Sequence, residues 1–202
     1  MDTVIRVKRV ASEKELAKAF AIRMRVFVKE QGVPREIELD CDDGRAVHFV
    51  AFAGLRAIGT ARVVWHHGRA KIGRMAVLKS YRGRGVGKKL LKRAIAVALR
   101  KEVRGQRSEV GGQTSAVKNK ASGARRRRQI KHKHSKEPGA PTIYLHAQVA
   151  VIGFYESMGF RCVGPIFDEA GIPHRKMILT LRAELDANQT SHSPAIRRGM
   201  SG

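Results

Sequence analysis

Ile72 to Leu91 reads IGRMAVLKSYRGRGVGKKLL. An apolar run, Met75-Ala76-Val77-Leu78, leads into Arg82-Gly83-Arg84-Gly85-Val86-Gly87, and a helical pattern begins at once. Glycines at alternate positions let backbone N–H groups turn inward with no Cβ in the way. The start of a helix adds unpaired N–H groups and the positive end of a dipole. Together these features predict a site for an anion, most naturally a phosphate ester. Arg82, Arg84, Lys88 and Lys89 add charge.

Two phosphate motifs are excluded by spacing. A P-loop requires a hydroxyl after its lysine, and Lys88 is followed by Lys89. A dinucleotide fingerprint counted from Gly83 or Gly85 would place its last glycine at Lys88 or Leu90. What remains, R-G-x-G-x-G between strand and helix, resembles the pyrophosphate loop of GNAT N-acetyltransferases. A plain Gly/Arg-rich surface turn is the alternative.

A chain of 202 residues can bury one full core. No apolar run approaches the roughly 18 residues of a membrane span. The start, MDTVIRVKRVASEKE, lacks the apolar stretch of a signal peptide. The two cysteines, Cys41 and Cys162, form no C-x-x-C, which argues against zinc and a disulfide scaffold. A reducing, cytoplasmic setting is expected, or a nuclear one in a eukaryote. The net charge of +24 points to a polyanionic partner or a self-repelling surface.

Working outward, Val4–Val7 predicts a strand. Ser12 and Glu15 form a capping box for a helix carrying Leu16, Phe20, Met24 and Phe27 to about Gln31. Strands are expected at 47–53, 57–66 and 71–78, as an antiparallel meander. A helix from Val86 to about Arg100 follows. From Lys101 to Ala140, twelve lysines and arginines stand against three acids, with almost no large apolar residue. That composition predicts a disordered basic insertion. A strand at 141–146, a helix at 148–158, strands at 160–166 and 175–181, and a polar tail after Leu185 complete the chain. The domain is thus split into 1–100 and 141–184, with the insertion at 101–140 and a tail at 185–202.

A second signature sits far from the glycine loop. QVAVIGFYESMGF, from Gln148 to Phe160, resembles the GNAT pattern of an Asn-like residue, an apolar face and Y-x-x-x-G-F. VFVKEQGVP (Val26 to Pro34), Asp40-x-x-Asp43, Ala46-Val47-His48 and Leu145-His146-Ala147-Gln148 resemble the ElaA-like branch of that family. The resemblance implies an α/β (α+β) fold with a mixed central sheet of about seven strands flanked by helices. It implies acetyl-CoA as co-substrate, no metal, and a primary amine on a small molecule or protein as acceptor. Cofactor contacts would come from Met75, Ala76 and Val77, from Arg82, Gly83, Arg84, Gly85, Val86, Gly87 and Lys88, and from Gln148. Tyr155 would protonate the departing thiolate.

An alkylamine with a pKa near ~10.4 must lose a proton before it attacks. The candidates for the base are Glu30, Asp40, Asp43, His48 and His146, with Glu30 and His48 foremost. Six of the seventeen acids fall between Glu30 and Asp43. They suggest either a loop that attracts a cationic acceptor or a solvated loop balancing Arg35 and Arg45. The insertion, from Arg104 to Lys136, allows three readings: nonspecific nucleic-acid binding through phosphates, a nuclear localisation signal, or a solvated linker. A catalytically weak, nucleic-acid-binding or regulatory GNAT scaffold is therefore the alternative to an enzyme.

Overall fold

The computed structural model describes residues 4–110 and 143–179, the side chains of 101–110 excepted. The Arg125–Arg128 run and the tail after Leu185 lie outside the described residues. The chain divides into two compact units, with the boundary after Ile143.

In the first unit, β1 (Ile5–Arg9), β2 (Val47–Ala53), β3 (Arg56–His66) and β4 (Arg69–Val77) pair antiparallel in that order. The expected meander is therefore present. β2 is buried along nearly its whole length, which explains why it reads as a continuous apolar run, VHFVAFA, rather than an alternation. Helix α1 (Glu13–Arg23) begins at Ser12, whose Oγ accepts the Glu15 N–H at 3.4 Å. Glu15 reaches back to the Ala11 N–H at 3.0 Å. The helix does not stay α to Gln31. Residues Met24–Glu30 widen into a π-helix, and the Gln31 N–H bonds the Val26 carbonyl at 3.1 Å. A short helix, α2 (Arg35–Glu38), follows in the stretch expected to be a loop.

Helix α3 (Val86–Val110) packs Val86 and Leu90 against β3 at Gly59. A Cβ on Gly59 would lie 3.0 Å from Leu90 Cδ1 and 3.1 Å from the Ala76 carbonyl, so glycine sets how closely helix and sheet approach. The helix continues ten residues beyond Arg100, into the stretch read as insertion. Its backbone hydrogen bonds are local, so a polar composition that builds no core does not prevent helix there.

In the second unit, β5 (Ile143–Gln148), β6 (Phe160–Glu169) and β7 (Ile172–Leu179) pair antiparallel, with β7 between the other two. The expected eleven-residue helix at 148–158 is shorter. Gln148 ends β5, residues Val149–Val151 form a 3-10 turn, and α4 spans only Ile152–Glu156. The α/β class, seven strands and element order are those expected.

Candidate active site

The glycine loop is open. Gly83 and Gly85 sit at φ +75° and +74°, the left-handed region that costs an L-residue roughly 1–2 kcal/mol. Nothing lies within 4 Å of the position a Cβ would take at either one. The Arg82 N–H bonds the Lys79 carbonyl, and the next loop amide with a backbone acceptor is that of Lys89, on Gly85. Among the described residues, no protein acceptor takes the six N–H groups from Gly83 to Lys88. Three of these belong to the first turn of a long helix, where the dipole adds positive potential. Buried Val86 pins that turn to the core.

The charged side chains of the loop are unequal. Arg82 donates to both Glu30 oxygens, at 2.6 and 2.9 Å, and its Nε donates to the Val77 carbonyl at 3.0 Å. Lys89 donates to the Ile5 carbonyl at 3.2 Å. The Arg84 guanidinium lies 5.5 Å from the Tyr81 ring centre. Lys88 is exposed and, with Arg84, is left to meet an anion.

Met75, Ala76 and Val77 lie at an irregularity in β4. Thr60 pairs with Ala76 and Arg62 with Gly73, so Arg74 and Met75 together oppose Ala61. This is a β-bulge, and Arg74 carries φ +49°. Its guanidinium holds it there, donating to the carbonyls of Ile37 (3.0 Å) and Glu38 (3.3 Å) and to Asp40 (2.9 Å).

The acidic loop is therefore occupied. Arg23, fully buried, donates to Glu38 Oε1 and Asp43 Oδ1, each at 2.6 Å, and also to the Glu38 carbonyl. Arg62 donates to Asp40 and Asp43, also at 2.6 Å. Asp42 pairs with Arg45 at 2.9 Å. Burial alone would raise the Asp43 carboxyl, but hydrogen bonds and charge from Arg23 and Arg62 outweigh it and hold it at about 2. Asp40 is likewise lowered against its burial by Arg62 and Arg74. The balancing partners of Glu38, Asp40 and Asp43 are neither Arg35 nor Arg45, which pairs with Asp42 and His66. They are arginines distant in sequence, which no local pattern reveals.

The foremost base candidates fare no better. Hydrogen bonding from Arg82 holds Glu30 below the usual carboxylate range, which suits an ion pair rather than proton uptake. His48 is buried and meets Phe20 edge-on at 5.8 Å. Its Nε2 lies 3.0 Å from the Asp43 carbonyl and so carries the proton; Nδ1 has no partner among the described residues. Burial pushes this imidazole down, so it stays neutral, packed as a core group.

In the second unit, Tyr155 lies on α4, buried between Phe154 and Phe160, with ring centres 4.9 and 6.1 Å away. Burial pushes its phenol up to about 12. Tyr144, His146 and Gln148 share the half-buried face of β5. His146 Nδ1 lies 3.0 Å from Glu169 Oε2, a pairing across the sheet that sequence distance concealed.

The chain belongs to the GNAT family: residues 44–162 match the acetyltransferase (GNAT) domain. It is 35% identical over 173 residues to a presumed acetyltransferase of Bacillus subtilis (strain 168), covering 83% of this chain and 91% of that protein. The uncharacterized N-acetyltransferase YjcF of the same organism is 32% identical over 168 residues, covering 83% and 94%. Escherichia coli ElaA shares the fold with a TM-score of 0.60 at 23% identity, covering 88% of this chain and all of that one. A GNAT acetyltransferase from Elizabethkingia anophelis, solved with acetyl-CoA bound, shares it with a TM-score of 0.55 at 14% identity, covering 90% and 100%.

Proposed function

We propose that this protein moves an acetyl group from acetyl-CoA to a primary amine by direct attack on the thioester. The observation that carries the reading is the row of unpartnered amides from Gly83 to Lys88 at the start of α3. Such a row fits a diphosphate, the anion that coenzyme A presents. Family membership supports acyl transfer, and the acetyl-CoA complex of a fold neighbour supports the donor.

Bound acetyl-CoA supplies an activated acetyl carbonyl. The chain's part is to hold and to move protons. Main-chain amides of the loop bind the diphosphate, with Arg84 and Lys88 adding charge-assisted contacts. The Arg74 bulge fixes the backbone of Met75–Val77, along which the amide-rich arm of the coenzyme lies. Tyr155 keeps its proton throughout the neutral range and gives it to the departing sulfur. The acceptor is a small-molecule or protein amine. Among the described residues no helix is long and apolar enough to cross a membrane.

The test is free-thiol release from acetyl-CoA across a panel of primary amines, alongside thermal denaturation with and without acetyl-CoA. Ligand at a hundredfold its Kd stabilises by about 2.7 kcal/mol. Tyr155→Phe should keep that stabilisation while kcat falls on the order of a hundredfold. No acetyl-CoA stabilisation would remove the basis of the proposal.

A further inference from the structure

The reaction needs a base, and neither Glu30 nor His48 is suited to supply one. The second unit holds a better arrangement. His146 sits on the half-buried face of β5, its side chain 26% exposed. Its Nδ1 is 3.0 Å from Glu169 Oε2 at the end of β6. An ionised carboxylate only accepts, so Nδ1 carries the proton in the neutral ring and Nε2 presents its lone pair. Nε2 has no partner among the described residues. The ring is braced by Phe167, edge-on at 4.9 Å, and Phe167 stacks on His174 at 6.2 Å. A second atom of the ring fixed by a carboxylate, one nitrogen left bare and one face held by an aromatic ring are what a general base requires.

We propose that His146 is the general base for the acceptor amine and that Glu169 is its positioning residue; this rests on the acetyltransferase reading above. The same compact unit then carries both proton-handling groups, His146 and Tyr155. Nε2 takes one proton from the ammonium. The freed amine lone pair forms the N–C bond as the carbonyl pair moves to oxygen. Collapse restores C=O and breaks C–S, leaving the pair on sulfur. Tyr155 protonates that sulfur, and the amide nitrogen's surplus proton returns to the phenol through water. His146 releases its proton to solvent, so each turnover yields the amide, free thiol and one net proton.

Among the described residues, the charged and titratable groups facing this ring within its unit are Glu169, His174, Lys176 and Tyr144, whose ring centre is 6.1 Å away. Lys176 stands opposite His146 in the β5–β7 register, but its ammonium is 5.1 Å from the Tyr144 ring centre.

Two measurements test the proposal. The first uses the full-length protein without coenzyme, following the His146 ring nitrogens by NMR at a fixed neutral pH. Glu169→Gln should weaken the bias toward the Nδ1–H tautomer, read from the ring nitrogen shifts, since the carboxylate that accepted the Nδ1 proton is gone. The second is the pH profile of thiol release at saturating acetyl-CoA, with tyramine and putrescine as probe amines. His146→Gln should lower kcat/KM for the amine by about a hundredfold or more at pH 7 and recover as pH approaches the amine's own pKa. Glu169→Gln should lower kcat/KM for the amine in the same direction by a smaller factor, about tenfold. Acetyl-CoA stabilisation should be unchanged in both variants. An active wild type with His146→Gln within threefold at all pH values would overturn the dyad alone. A wild type that binds no acetyl-CoA, or releases no thiol with either amine, would overturn the acetyltransferase reading and the dyad with it.

Discussion

Two charged loops of this protein look alike as sequence and behave oppositely in the fold. The loop from Arg82 to Lys88 is basic, and among the described residues its main-chain donors from Gly83 onward have no protein acceptor. The loop from Glu36 to Asp43 is acidic, and Glu38, Asp40, Asp42 and Asp43 are each engaged by arginine. Charge density alone does not mark a site. What marks one is polar capacity left unspent once the protein's own groups have paired. The acidic loop still shapes the sheet, because it holds Arg74 and therefore the β4 bulge.

This contrast can be broken by substitution. Arg23→Leu should have the largest effect. It leaves Glu38 and Asp43 without their buried partner and should cost about 3–5 kcal/mol by urea denaturation. A loss below about 1 kcal/mol would mean that water already solvates the network. Next comes acid. The folded Asp43 carboxyl titrates at about 2 against an ordinary 3.8. A depressed carboxyl stabilises the fold above its unfolded pKa, and that stability drains as pH falls through the folded one. Asp43 should thus contribute roughly 2 kcal/mol near neutrality, lost between about pH 4 and pH 2. Asp43→Asn should flatten the stability profile over that range, and its acetyl-CoA affinity should be unchanged.

The basic loop should respond in the other currency. Gly85→Val forces a β-branched residue to φ +74°, so it should weaken acetyl-CoA binding by about tenfold or more in calorimetry. Its stability cost should stay near ~1–2 kcal/mol, below that of Arg23→Leu. Arg84→Ala should be the mildest, with about a two- to threefold loss of affinity that fades with added salt. A larger loss would shift weight from backbone amides to side-chain charge.

Much of the fold was legible because its signals are local. The Ser12 capping box, the alternation around Gly54 and Gly68, and the glycines at 83 and 85 each act within a few residues of themselves. The π-widening at Met24–Glu30 was not legible, nor was the shortening of the helix after Gln148. Both depend on how the backbone meets its neighbours. The glycine loop at the start of α3 and the buried tyrosine on α4 were readable from their motifs. Glu30 and His48 were singled out by residue type, but the structure gives Glu30 to Arg82 and buries His48 against Phe20.

The sequence by itself determined the order of elements, the glycine loop at a helix start and the aromatic-flanked tyrosine, since these follow from backbone freedom and periodicity. Only the tertiary structure decided which charges are spent. Arg23, Arg62 and Arg74 meet their carboxylates from distances of 15 to 36 residues, and His146 meets Glu169 from 23. An ion pair needs two groups within a few ångströms, and separation along the chain says nothing about that until the strands have paired.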